Sequence, residues 1–441
     1  MRISIISANR FREPNPVVPI GAATVAGALR ANAHEVRLLD LCHEATPEQA
    51  ILSHLAEWEP DLVGVSLRNL ETNRPTDPQS FLEEAERFVQ VIKKATSSPI
   101  VLGGAGYSLF PEEILERLDV PYGFAGEAEE SVAALVECIE KGVAPDGVSG
   151  ACYLSGGKAV VTGVAKVRRF AGLPAPAFDL LDCPKYLAEG AGMPIESKRG
   201  CDLACSYCAE TADPEGARLK PPEVTIAEIE RIVAETGTNQ VFFIDGVFQH
   251  PPDHAMALCR EMISRKLNVV WHTDVNPVGL SRELLEAMKE AGCRGVALGV
   301  EAASEEMLRS YRKGFKQRDI VRTVDDLRAL GIPFMMFLLF GGPGETEDTV
   351  WRALDFLSEE AGNAPLIMNV GLRIYKGTPL EETARRQGRI APGHNMLTPT
   401  YYLSDDLDEG LVDRIDEYCR DRPGWFTYAA LQRRMQQAAG G

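Results

Sequence analysis

Lys198-Arg199-Gly200-Cys201-Asp202-Leu203-Ala204-Cys205-Ser206-Tyr207-Cys208 puts three cysteines into eight residues, in a CxxxCxxC spacing that follows a short apolar run beginning at Met193. Three thiolates on one tight loop can reach three irons of a cuboidal 4Fe–4S cluster, and the fourth iron then has no protein ligand. An open metal position serves substrate chemistry, whereas a structural site is closed. A closed zinc site needs a fourth Cys or His close by. The nearest downstream histidine is His250, and no second CxxC follows. Cys201, Cys205 and Cys208 are therefore the expected metal ligands.

The other seven of the 10 cysteines (Cys42, Cys138, Cys152, Cys183, Cys259, Cys293 and Cys419) are scattered. Dispersed thiols in a long chain with no export signal read as small buried hydrophobes rather than a disulfide framework. Only Cys419 lies near the C-terminus, so no auxiliary cluster is expected there. The chain has 441 residues, with 45% hydrophobic and 25% charged content, and calls for two or three domains. Its net charge of -18 disfavours phosphate backbones and anionic membranes, so neither nucleic acid nor membrane is an expected partner. No apolar run is long enough for a spanning helix. The N-terminal apolar stretch is too short for a secretion signal, and the cytoplasm is the expected location.

Strand and helix signals alternate on both sides of the cysteine loop. Upstream, apolar runs at Ile3–Ile6, Val36–Leu39, Leu62–Leu67, Ile100–Leu102 and Tyr122–Ala125 alternate with helical patterns. They predict a flavodoxin-like, doubly wound parallel sheet over residues 1–145. Residues 146–190 read as a hairpin, turning at Ser155-Gly156-Gly157, and a Pro-Ala linker. From 191 to 400, strands at Met193–Ser197, Val241–Asp245, Val269–Thr273, Val296–Val300, Phe334–Phe340 and Ile367–Ile374 predict a partial (β/α)6 barrel. Residues 401–441 read as a small helical tail. The fold class is α/β throughout.

The cysteine loop resembles the signature of the radical S-adenosylmethionine (SAM) superfamily. The segments Phe242–Phe248, Gly299–Ser304 with Lys313-Gly314, Leu339–Thr346 and Arg373–Leu380 resemble its later strand ends. In that family the open iron binds the amino and carboxylate groups of SAM, which an electron from the cluster cleaves to methionine and a 5′-deoxyadenosyl radical. The resemblance implies SAM contacts from Tyr207, Asp245, Glu301, Gly341, Gly342 and Arg373. It also implies an external electron donor such as flavodoxin or ferredoxin. One departure is Ala302, which stands where the family has a small polar residue.

The order of the two halves resembles the cobalamin-binding branch, a class B-like methyltransferase family. Glycine-bearing strand ends at Gly103-Gly104 and Gly126-Glu127, and the loop starting Arg68-Asn69, are then the expected corrin contacts. No Asp-x-His-x-x-Gly motif is present, so no histidine is expected beneath cobalt, and Arg68 is the candidate for that face. The implied activity is C-methylation of a small molecule or peptide in natural-product biosynthesis. The alternatives are a radical oxidoreductase or cyclase without methyl transfer, and a non-catalytic cobalamin or SAM sensor. No catalytic residue is assigned. Trp271, His272, Tyr401, Tyr402 and Trp425 are weak candidates for a substrate pocket.

Overall fold

The computed structural model describes residues 1–75, 78–212, 215–362 and 364–439. They form two compact units. One comprises residues 1–72, 79–193 and 231–238, and the other 73–78, 194–230 and 239–441.

The first unit is built on a seven-stranded sheet, in the order β2-β1-β3-β4-β5-β6-β7. The strands are β1 (Arg2–Ser7), β2 (Glu35–Asp40), β3 (Leu62–Ser66), β4 (Ile100–Gly103), β5 (Tyr122–Phe124), β6 (Ala151–Ser155) and β7 (Lys158–Val161). The first five pair in parallel, in the flavodoxin-like order expected from their spacing. The helix Phe81–Ala95 shows why the spacing is legible. Leu82, Ala85, Phe88, Val89 and Ile92 recur at helical spacing and are all buried, while Glu83, Glu84, Lys93 and Lys94 complement the helix dipole at its two ends. The hairpin expected to stand in a separate 146–190 segment belongs to this sheet. β6 adds antiparallel to β5, and β7 follows it. Pairing with β5 satisfies an edge that would otherwise be open.

The second unit carries another seven-stranded sheet. It contains β8 (Met193–Ile195), β11 (Gln240–Phe243), β12 (Val270–Val275), β13 (Cys293–Glu301), β14 (Phe334–Phe340), β15 (Leu366–Val370) and β18 (Trp425–Thr427), in the order β8-β11-β12-β13-β14-β15-β18. Two antiparallel ribbons accompany it, β9 (Lys198–Arg199) with β10 (Arg218–Leu219), and β16 (Leu372–Arg373) with β17 (Tyr401–Tyr402). The tail departs from its all-helical expectation. Trp425–Thr427 is a seventh strand, parallel to β15. It is three residues long and is flanked by the helices Leu411–Tyr418 and Tyr428–Ala439, whose periodicity masks it. Residues 440 and 441 of that predicted tail lie outside the described residues.

Alternate side chains of this sheet differ in burial. Trp271, Thr273, Leu298, Met336, Leu338 and Met368 are fully buried. Their neighbours in the strands, Asp274, Ala297, Phe337, Leu339, Ile367 and Asn369, are only half-buried. Side chains of a strand point alternately to opposite faces, so one face is packed and the other is only partly covered. Trp271 lies on the packed face. Its Nε1 donates to Ala291 O at 2.9 Å, and its ring meets Phe243 and Phe248. Trp425 and Tyr402 are also core, each 2% exposed. Their aromatic surface is covered by protein, so none of these three lines a pocket.

Candidate functional site

The cysteine loop leaves the sheet next to β8, and buried polar contacts anchor it at its root. Asp245, 3% exposed, accepts hydrogen bonds from Ser197 N at 2.8 Å, from Lys198 N at 3.3 Å and from Ser197 Oγ. Both carboxylate oxygens are engaged. Asp245 thus holds the root of the loop, a role the expected SAM contact did not include. Lys198 is a second anchor. Its buried ammonium donates to Val247 O at 2.5 Å, to Phe248 O at 3.1 Å and to His250 O.

The far end of the loop is braced by residues that sequence reasoning left unassigned. Ser206 N donates to Tyr311 O at 3.0 Å, and Ser206 Oγ to Ser310 O at 3.0 Å. Tyr207 packs edge-on against Tyr311, with ring centroids 5.4 Å apart, and its hydroxyl accepts from Lys313 Nζ at 3.1 Å. Lys313 Nζ also lies 3.8 Å from Cys205 Sγ. Cys205 is buried, while Cys201 and Cys208 are half-buried. Burial pushes the Cys208 thiol up to about 11 and raises that of Cys201. Among the described residues no three His, Cys, Asp or Glu converge on a single ion. Donors to a cuboidal cluster reach separate irons and need no such convergence.

The Gly341-Gly342-Pro343-Gly344-Glu345 turn holds this brace. Gly341 N and Gly342 N both donate to Glu345 Oε2, the latter at 3.2 Å. Gly342 N also donates to the Tyr311 hydroxyl at 3.1 Å, which in turn donates to Leu339 O at 2.8 Å. A Cβ on Gly342 would fall 2.1 Å from the Tyr311 ring. Ring packing is thus sufficient to require glycine at 342. Burial pushes Glu345 up to about 7, and its hydrogen bonds to the glycine amides pull the other way. Its folded value is above its unfolded one, so its contribution to stability is full below about pH 4.5 and lost as pH rises through 7. Glu345→Gln removes that loss. Compared with wild type in urea unfolding at pH 5 and pH 8, the variant's relative stability should rise with pH by up to about 3 kcal/mol.

Arg373 is likewise engaged within the chain. It is 7% exposed and donates to Ile374 O at 2.7 Å, Met396 O at 2.8 Å and Thr400 O at 3.4 Å. Its guanidinium staples the 374–400 segment and forms no ion pair with Glu301.

Glu301 keeps its chemistry free. It ends β13 with a φ of +62°, uncommon for a residue with a side chain, and follows a bulge against β14. Burial raises its carboxyl and the nearby Lys313 draws it down, yet no donor among the described residues hydrogen-bonds it. Among the described residues Asp274 on β12 is also without a side-chain hydrogen bond. Burial, then Glu301, push it up to about 6. Two desolvated carboxylates on the half-open face of the sheet are equipped to receive donors from a ligand.

In the first unit, unsatisfied polar atoms gather where β1 and β3 end. Arg68 Nε, Asn69 Oδ1 and Asn9 Oδ1 are buried with no hydrogen-bond partner. Burial lowers the Arg68 guanidinium, while Cys42 and Tyr186 favour its charge. Buried polar groups in folded proteins are paired, so orphans on two neighbouring strand ends fit a ligand rich in donors and acceptors. His43, after β2, is held by Glu189 at 3.2 Å and packs edge-on against Tyr186. The glycines have another cause. A Cβ on Gly104, φ +100°, would lie 2.5 Å from Leu67 O, and one on Gly126 2.2 Å from Ala165 O. Chain packing alone is enough to require glycine at both. Gly103 has ordinary room. Glu127 accepts from Val167 N at 2.8 Å, anchoring the segment after the hairpin.

Residues 195–357 match the Radical SAM superfamily, and residues 12–136 match the B12 binding domain. The chain belongs to the cobalamin-binding radical SAM enzymes. Its cofactors are a 4Fe–4S cluster, SAM and cobalamin. Tryptophan 2-C-methyltransferase of Streptomyces laurentii is 24% identical over 432 residues, covering 81% of this chain and 70% of that protein. The structure of the radical SAM methyltransferase TsrM from Kitasatospora setae, with cobalamin and a 4Fe–4S cluster bound, superposes with a TM-score of 0.79 at 26% identity. It covers 89% of this chain and 76% of that one. An anaerobic magnesium-protoporphyrin IX monomethyl ester cyclase of Cereibacter sphaeroides is 25% identical over 345 residues, 75% of this chain and 55% of that protein.

Proposed function

We propose that this enzyme transfers a methyl group to a carbon atom of a small molecule, with the cluster on Cys201, Cys205 and Cys208, SAM against Glu301, and cobalamin over Arg68 and Asn69. The observation that carries the reading is one chain with both a three-thiol loop braced in the second unit and orphaned, buried polar atoms at the strand ends of a B12-type domain. When bound, the cluster and SAM supply a substrate radical, and cobalamin supplies a transferable methyl group.

The chain's own residues hold and shape. Asp245 and Lys198 fix the root of the cysteine loop, while Tyr311 and Glu345 fix its tip. Glu301 accepts hydrogen bonds from hydroxyl or ammonium groups of SAM. A cation at Arg68 disfavours cationic, higher-valent cobalt. On the half-open face, Asp274, with Phe337 and Ile367 two and three strands along the sheet, suits a substrate with an apolar body and a donor group, such as an amine. Electrons come from a flavodoxin or ferredoxin type of donor. Natural-product tailoring is the proposed role. Among the described residues no helix is long and apolar enough to cross a membrane.

The likeness to a cyclase supports a second reading, radical oxidation or ring closure without methyl transfer. Product mass separates the two. Anaerobic holoenzyme, given SAM, a low-potential donor and a panel of aromatic amines and amino acids, should add one methyl group to a product and release S-adenosylhomocysteine. A product that only loses hydrogens, with deoxyadenosine alone, overturns methyl transfer.

A further inference from the structure

Lys313 is a buried cation with no carboxylate partner among the described residues. It is 5% exposed. Its Nζ touches the Tyr207 hydroxyl at 3.1 Å and Cys205 Sγ at 3.8 Å, and it lies over the faces of Tyr207 and Phe315 at 5.7 Å each. Among the described residues no carboxylate comes within ion-pair distance. Glu301 feels its charge but forms no bond with it. Moving an ammonium out of water costs several kcal/mol unless a counter-charge replaces the lost hydration. A neutral hydroxyl and two ring faces replace only part of it. The anion within reach is Cys205, once metal binding makes it a thiolate.

We propose that Lys313 is the counter-charge of the iron–sulfur cluster and, through its N–H···S contact with Cys205, raises the cluster's reduction potential. Reduction adds one electron, delivered by an external one-electron donor, and neither forms nor breaks a bond. The added negative charge is stabilised by a fixed cation at low local dielectric, and hydrogen bonds to cluster sulfurs act in the same direction. The lysine's place in the sequence fits this role. It follows the helix Glu305–Ser310 in a turn between Arg312, φ +56°, and Gly314, φ +66°, so backbone geometry fixes the direction of a long side chain.

The inference rests on the cluster being held by these three cysteines, which the iron and sulfide content of the wild-type holoenzyme tests separately. The direct experiment is a potentiometric titration followed by electron paramagnetic resonance, on anaerobically reconstituted wild type, Lys313→Met, Lys313→Gln and Lys313→Arg. In the two neutral variants the ratio of reduced to oxidised cluster at a fixed poise should fall about tenfold, equivalent to about 59 mV for a one-electron couple. Lys313→Arg should stay close to wild type. Lys313→Gln keeps a donor and fills similar space, so it gives the reading if Lys313→Met does not fold. A wild-type midpoint in a neutral variant with full iron content overturns the proposal. So does a variant that loses only SAM affinity, because the lysine would then serve SAM and not the cluster.

Discussion

Cys205→Ala, and equally Cys201→Ala or Cys208→Ala, leaves a folded chain with iron and acid-labile sulfide near background and no detectable SAM cleavage. The loss is near total because the three thiols are not interchangeable. Each sits on one loop fixed at Ser197 and at Ser206, and in the proposed cluster each would serve a separate iron. Removing one leaves that iron with solvent in place of a thiolate, and no other cysteine lies close enough in sequence to substitute. Burial raises the Cys201 and Cys208 thiols, so the loop holds thiolates only when metal compensates the charge. Cys138→Ala is the control. Cys138 is half-buried on the helix Val132–Lys141 in the first unit, and its loss should leave iron content unchanged. Wild-type iron in Cys205→Ala would sink the assignment of the cluster to this loop.

The sequence exposed what is periodic or densely spaced. Five parallel strands and their order could be read from apolar runs, because a buried parallel strand is a continuous apolar stretch. The cysteine loop could be read from spacing alone. What stayed hidden depends on tertiary partners. Asp245 and Arg373 occur at motif positions, which suggested ligand contacts. The partners that each also has within the chain, Ser197 in one case and the carbonyls of Ile374, Met396 and Thr400 in the other, come from tertiary structure. Lys313 and Tyr311 meet the loop from more than 100 residues away, Glu345 acts on it through Tyr311, and no local pattern marks such contacts. The Trp425 strand was hidden by its brevity. The raised carboxyl of Asp274 was invisible because burial on one face of a strand follows from the neighbouring strands.

Asp245→Ala should have the second-largest effect, and it separates holding the loop from holding the cofactor. The substitution strips three donors, Ser197 N, Ser197 Oγ and Lys198 N, of their acceptor. Ser197 is 0% exposed and Lys198 4%, so water does not readily replace the carboxylate. Each buried donor left unpaired costs roughly 1–3 kcal/mol, and the three share one acceptor, so a local loss of about 3–5 kcal/mol is expected. That corresponds to amide exchange in residues 195–200 faster by about a hundredfold or more. Iron loading should fall with it, because the thiols are then presented on a frayed segment. Asp245→Asn retains one acceptor oxygen and turns an amide group toward the donors, so it should fall between wild type and alanine. A ligand-contacting Asp245 would behave differently, with unchanged exchange, full iron content and weakened SAM binding. Hydrogen–deuterium exchange and iron analysis on the same two variants therefore decide whether this carboxylate builds the loop or touches what the loop holds.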